Sequence, residues 1–166
     1  FDDWMMVGYR DEGGWVERWW PITTDPGLYY LMSADKQLNP AGTAILKEGQ
    51  YRGVYGIGLH GKTLYEALTQ QHGVVVVGRD GDLNAELNYE ADPEEGYFGI
   101  NIHASSMSPY EGNVTKVKVN AWSGGCQVFA NEQDFRVFMV LCKKQLQVHP
   151  TWKKFTYTLV RNPMSA

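Results

Sequence analysis

The chain has 166 residues, 43% of them hydrophobic, which is enough for one domain with a sizeable core and too many for a disordered chain. A net charge of -4 and a pI near 5.5 argue against a nucleic-acid partner. No run approaches the roughly 18 apolar residues of a membrane helix, and two cysteines cannot build a disulfide framework, so no membrane span and two free thiols are expected.

Six Trp, ten Tyr and six Phe favour strands, either as a β-rich core or lining an aromatic groove. Trp4–Arg10 is a strand candidate, Asp11–Gly14 a turn, and Trp15–Trp20 the returning half of a hairpin. Thr23-Thr24-Asp25-Pro26-Gly27 is turn chemistry, and Gly27–Met32 reads as a further strand. Residues 34–50 are loop-like, with a short apolar Ala44-Ile45-Leu46. Tyr51–Leu59 alternates weakly, and His60 closes it.

Thr63-Leu64-Tyr65-Glu66 has capping-box spacing, which predicts a short helix over Thr63–Gln71. Val74–Val77 reads as a strand buried on both faces, Arg79–Asp82 as a turn, and residues 83–95 as an acidic surface loop. Tyr97–Ile102 reads as a strand that delivers His103 at its end. Thr115–Ala121 alternates strictly, as a half-exposed strand does.

Asn131–Asp134 opens the best helix. Its apolar stripe is Phe135, Phe138, Met139, Cys142 and Leu146, with Lys143 and Lys144 placed near its negative end. Lys154–Val160 alternates as a closing strand. The expected fold is mostly β: a single domain over residues 1–166, a sandwich or open barrel with about two flanking helices. No secretory leader is visible, and a start at Phe1 leaves room for a removed leader or a preceding domain.

Cys126 follows the small residues Ser123, Gly124 and Gly125. A thiol on such a turn can be reached by a substrate carbonyl, with backbone N–H groups nearby for an oxyanion. A cysteine that merely packs is the rival reading, and it suits Cys142 on its helix stripe. Of the four histidines, His103 precedes Cys126 by 23 positions, and a strand out and back can join them. His60 ends a β-segment and can line the same groove. His72 reads as a surface residue, and His149 is crowded by Pro150. The chain has no His-Glu-x-x-His, His-x-His or Cys-x-x-Cys. A metal site would need His60, His103 and a carboxylate such as Asp82 to converge in space. Asn113-Val114-Thr115 matches a glycosylation sequon by pattern only.

Ile102-His103 followed by Ser123-Gly124-Gly125-Cys126-Gln127-Val128 resembles the catalytic domain of the L,D-transpeptidases of bacterial cell walls. Thr23–Gly27, or Pro40–Ala44, resembles that family's upstream Thr-Pro-x-Gly segment more weakly. The resemblance implies an L,D-transpeptidase-like fold, Cys126 as nucleophile, His103 as base and the Ala104 carbonyl as the group that orients the imidazole. It implies oxyanion stabilisation by the Gly125 and Cys126 N–H groups. Ser123, His60 and Trp122 would contact substrate, and no cofactor or metal would be needed. It further implies peptidoglycan stem peptides as partners and an extracytoplasmic site of action. Gly124 stands where the family has histidine, and Val128 where many members have arginine. Those departures point to a divergent phage or antibacterial-effector branch that uses the thiol for hydrolysis. An immunity or carrier protein would then be a further partner. A non-catalytic wall-binding module and a zinc peptidase are the alternatives.

Overall fold

The computed structural model describes residues 1–107 and 115–161. The Asn113 and Val114 positions of the sequon lie outside the described residues.

Strands β1 (Asp3–Asp11) and β2 (Gly14–Thr23) form the expected hairpin, closed by Gly14 at φ +119°. Alternation turns Met5 and Trp20 inward and leaves Trp4, Met6, Trp15 and Trp19 outside. Gly27–Met32 is not a strand. Leu28–Leu31 forms a single helical turn, α1, after the Pro26-Gly27 break, with the Tyr30 and Leu31 N–H groups bonded to the Gly27 carbonyl. Asn120 packs directly on Gly27, where a Cβ would lie 1.7 Å from its carbonyl oxygen, and the Gly27 N–H bonds to the Ser123 carbonyl.

Residues 34–50 are less loop-like than their composition suggests. Thr43–Leu46 is strand β3, four buried residues that are too short to show a period. Next come β4 (Gly49–His60) and β5 (Tyr65–Gln70), an antiparallel hairpin. The helix expected over Thr63–Gln71 is therefore a turn and a strand. Gly61 and Leu64 take positive φ, +69° and +51°, and reverse the chain. β5 then pairs with β4 on one side and with a later strand on the other, burying Ala67, Leu68 and Thr69. Two ladders outweigh one capping box. Glu66 turns outward and pairs with Lys143.

β6 (Val75–Asp80) continues through the expected turn to Asp80, because Asp80 still pairs with Thr43. Val75 and Val77 are buried while Val74 is exposed and Val76 half-buried, so the valine run is covered mainly on one face. β7 (Glu94–Gly96) adds a third strand, giving a sheet of order β3-β6-β7.

Only Ile102–Ala104 forms strand β8, so His103 sits inside the strand rather than beyond its end. Tyr97–Asn101 carries no ladder; the Gln70 side chain holds it instead. Thr115–Ala121 is not a strand either. It makes one bridge, Thr115 to Asn131, and its alternation buries nothing, with Val117 almost fully exposed. β9 (Gln127–Phe129) is wholly buried.

Helix α2 (Glu132–Val148) is capped by the Asn131 side chain, which accepts the Gln133 and Asp134 N–H groups. Phe135, Phe138, Met139 and Cys142 are buried as expected, and Leu146 is half-buried. Lys143 and Lys144 fall short of the last turn, which holds no basic residue. β10 (Phe155–Leu159) closes on β4.

The larger sheet has seven strands in the order β1-β2-β9-β8-β5-β4-β10 and curls into a half-barrel. Phe135 and Phe138 of α2 pack against Trp20 and Phe129, with ring centroids 5.0–6.2 Å apart. Burying such side chains contributes roughly 2–3 kcal/mol each. The mostly-β expectation holds, with two helices among the described residues, although the first stands at Leu28–Leu31. No helix among the described residues is long and apolar enough to cross a membrane.

Candidate active site

β8 and β9 run parallel in the middle of the large sheet, pairing Ile102 with Gln127, His103 with Val128 and Ala104 with Phe129. This pairing of segments 25 residues apart brings the His103 strand alongside the loop that carries Cys126.

His103 is buried, and its Nδ1 lies 2.8 Å from the Ala104 carbonyl oxygen. A carbonyl only accepts, so Nδ1 carries the proton and Nε2 keeps the lone pair. The Tyr65 hydroxyl donates to the same carbonyl at 3.2 Å and lies 3.4 Å from Nδ1. Burial, then the neighbouring His60, push the His103 imidazole down to about 3, against a smaller upward pull from the Ala104 carbonyl. It is neutral at physiological pH.

His60 stacks on His103, with ring centroids 4.1 Å apart and planes 24° from parallel. Asn101 Nδ2 donates to His60 Nδ1 at 3.1 Å, which places the His60 proton on Nε2. Burial lowers the His60 imidazole as well. His60 therefore presents a donor, and the Nε2 lone pair available for proton abstraction belongs to His103.

Cys126 is half-buried. Its Sγ accepts the Asn101 N–H at 3.4 Å and donates to the Gly99 carbonyl at 3.5 Å. Burial pushes the thiol up to about 11, partly offset by the Asn101 N–H. Tyr30, Tyr55 and Tyr65 lie within electrostatic reach of it. No hydrogen bond joins the thiol to the His103 imidazole among the described residues. Both groups rest neutral on neighbouring strands, so no thiolate–imidazolium pair is preformed.

The turn before Cys126 is built from inside. Ser123 is fully buried; its hydroxyl accepts the Gly125 N–H at 3.1 Å and donates to the Cys126 carbonyl at 2.8 Å. Ser123 thus shapes the loop, its buried hydroxyl engaged by two backbone groups. The same bond occupies the Gly125 N–H, which is therefore not a free oxyanion donor. Gly125 is needed for another reason: it sits at φ +120°, and a Cβ there would lie 2.5 Å from the Ala44 carbonyl oxygen. A side chain at Gly124 would meet Leu38 Cδ1 at 3.0 Å, so Leu38 fills the space a motif histidine would enter. Trp122 is partly exposed at the loop's outer edge, with Lys116 Nζ 5.4 Å from its ring centre. Behind the thiol, Gln127 is buried. It donates to the Gly125 and Thr24 carbonyls, and its Oε1 accepts the Tyr157 hydroxyl of β10 at 2.8 Å.

Three residues of this site are absent from the sequence reading: Asn101, Gln70 and Tyr65. Asn101 touches the thiol through its backbone and His60 through its side chain, and its Oδ1 accepts the Gln70 N–H at 2.9 Å. Gln70 Oε1 accepts three successive N–H groups, from Phe98, Gly99 and Ile100. Its Nε2 donates to the Gly73 and Gly96 carbonyls. Asn101 had a signal, since it lies two residues before His103 and a strand returns to the same face every second residue. Tyr65 and Gln70 were hidden by the helix expected there.

Cys142 is buried in the α2 core, its thiol pushed up to about 12 by burial. His72 and His149 are exposed on connections outside the site. Among the described residues no three His, Cys, Asp or Glu side chains gather so as to hold a metal ion, and Asp82 lies in the exposed loop after β6 rather than beside His60 and His103. Neither a protein-family model nor any curated protein or solved structure matches this chain.

Proposed function

We propose that this protein is a peptidoglycan-acting cysteine enzyme of the L,D-transpeptidase type, working outside the cytoplasm on stem peptides. The observation that carries the reading is the His103 Nδ1 bond to the Ala104 carbonyl, one strand away from Cys126. A backbone acceptor in the third position fixes the ring tautomer without adding a charge, and it leaves Nε2 as base.

In the reaction, Cys126 Sγ leaves its contacts with Gly99 and Asn101 as the substrate carbonyl enters. The thiol proton passes to His103 Nε2, the S–C bond forms, and the peptide C–N bond breaks. The leaving amine takes the proton from His103. Water, or an amine of a second stem peptide, then attacks the thioester and regenerates the thiol. The resting imidazole is neutral with its Nε2 lone pair open, but burial holds it down to about 3, so substrate entry has to raise its basicity before it takes the thiol proton. With the Gly125 N–H engaged by Ser123, the Cys126 N–H would serve as a loop donor for the developing oxyanion.

The test is mass spectrometry of muropeptides after incubation of sacculi with wild type, Cys126→Ala and His103→Ala. Shortened or newly cross-linked stems made by wild type alone support the reading. Loss of the base should cost about 10²–10⁴-fold in rate. Products made equally by Cys126→Ala sink it.

A second reading, a wall-binding module without catalysis, is favoured by the high thiol pKa and the missing thiol–imidazole bond. It predicts sacculus binding that is unchanged in Cys126→Ala and no muropeptide product from any form.

A further inference from the structure

Asp80, the last residue of β6, is completely covered and lies just beneath the surface. Gln37 Nε2 donates to its carbonyl at 3.2 Å, and a Cβ on Gly42 would stand 2.4 Å from its backbone, so the 37–42 segment seals it. One carboxylate oxygen, Oδ2, accepts the Asn88 N–H at 2.9 Å, while Oδ1 is buried without any partner. Buried acceptors of that kind are rare in folded proteins and point to a missing partner.

Asp82 faces Asp80 with two groups: its carboxyl and its backbone N–H both lie within hydrogen-bonding range of the Asp80 carboxylate. Among the described residues neither aspartate forms an ion pair. Nearby Arg79 is engaged by Glu94 at 2.7 Å and lies over the Phe98 ring, and Lys47 donates to the Tyr89 carbonyl at 2.5 Å. Two carboxylates held together with no basic partner need a proton or a cation between them.

The local sequence answers which. Asp80-Gly81-Asp82-Leu83-Asn84-Ala85-Glu86 places an oxygen-bearing side chain at every second residue, the spacing of the first ligands in a calcium loop. It is not an EF-hand: a strand rather than a helix leads in, and Ala85 stands where the invariant glycine would be. Leu83 at φ +61° turns the chain, and Asn84 N–H bonds back to Asp82 Oδ1 at 3.3 Å. The loop holds no His or Cys, so its donors are all hard oxygens. Most of them are exposed on the turn after β6, which suits a large cation of variable coordination better than magnesium, with its strict octahedron.

We propose that Asp80 and Asp82, with the Asn84 side-chain oxygen, form a calcium site that water completes. Its structural consequence reaches the thiol. The segment that seals Asp80 also carries Leu38, which packs at Gly124 in the turn before Cys126. A bound cation therefore braces the wall of the candidate active site.

The test is calorimetric titration of calcium chloride into the chelator-treated full chain at neutral pH, with melting curves in calcium and in EDTA. One saturable site is expected, with a melting point several degrees higher in calcium. Asp82→Asn, an exposed position, should bind at least tenfold more weakly and lose most of that rise. Its chelated form should melt no lower than chelated wild type, because the carboxylate repulsion is relieved. A titration without saturable heat up to about 10 mM calcium, the weak end of known protein sites, together with equal melting in calcium and EDTA, overturns the proposal. So does Asp82→Asn responding to calcium like wild type. Stabilisation by Asp82→Asn with no calcium dependence in either protein assigns the pair to a shared proton and likewise overturns it.

Discussion

Replacing Gln70 by leucine keeps the volume at the centre of the large sheet and removes five hydrogen bonds. Three of these run from the Phe98, Gly99 and Ile100 N–H groups to Oε1 at 3.0–3.2 Å, and two from Nε2 to the Gly73 and Gly96 carbonyls at 3.1 and 2.8 Å. The bond to Gly99 is exposed, so water replaces it easily; the other four are partly buried. At ~0.5–1 kcal/mol for each bond, the loss is ~3 kcal/mol. For a domain of this size, where each kcal/mol moves the melting point by roughly 2–4 °C, that is a drop of ~6–12 °C.

A second readout follows from position. The Gly99 carbonyl and the Asn101 N–H, which hold Cys126 Sγ, both belong to the strap that Gln70 anchors. Gln70→Leu should therefore speed iodoacetamide labelling of Cys126 in the folded protein. Calorimetry or a circular-dichroism melt gives the first quantity and intact-mass kinetics the second. A melting point within about 1 °C of wild type and an unchanged labelling rate would refute Gln70 as the anchor, since five lost bonds cannot be silent.

Native Cys126 should react slowly with iodoacetamide near pH 7.5 and faster as the pH rises toward about 11, while Cys142 stays unlabelled until the fold is lost; peptide mapping separates the two. His103 should make the fold acid-sensitive. Its imidazole is pushed from 6.5 down to about 3, so protonation favours the unfolded chain. Its contribution is complete above 6.5 and is lost as pH falls toward 3, with ~3 kcal/mol gone by about pH 4. Denaturant midpoints between those pH values should fall more steeply for wild type than for His103→Gln. Equal slopes would contradict the buried neutral assignment. Gly125→Ala should abolish the proposed thiol chemistry while leaving α2 helical by circular dichroism, because its Cβ would lie 2.5 Å from the Ala44 carbonyl oxygen at φ +120°. Full activity in that variant would mean the turn is looser than described.

Elements whose burial follows their own sequence pattern were legible. The first hairpin alternates as a half-buried ribbon should, and α2 carries an apolar stripe over three turns. Local pattern misled where distant partners decide. Tyr65–Gln70 has a helix-like start, yet it becomes a strand because β4 and β8 flank it. Thr115–Ala121 alternates perfectly and still buries nothing, because among the described residues it pairs only through the Thr115–Asn131 bridge. In the candidate site, the imidazole and its carbonyl are adjacent in sequence and could be read together. The Gly125 N–H could not be read, since nothing in Ser-Gly-Gly-Cys announces that the serine hydroxyl occupies it. Parallel pairing of β8 with β9 is likewise a property of the whole sheet.

The Tyr157 hydroxyl that reaches Gln127 ties the order of folding to the thiol. Gln127 follows Cys126 directly, yet one of its anchors lies in β10, which among the described residues pairs with β4 alone, Phe155 with Tyr55 across 100 residues. Contacts of such separation form late, because the entropy of closing the loop must be met first. During synthesis the ribosome releases Cys126 well before Tyr157. For that interval the cysteine sits on an unfinished sheet, and its backing is completed only when the last strand docks. Completion of the thiol's backing thus waits on a long-range pairing, that of β10 with β4.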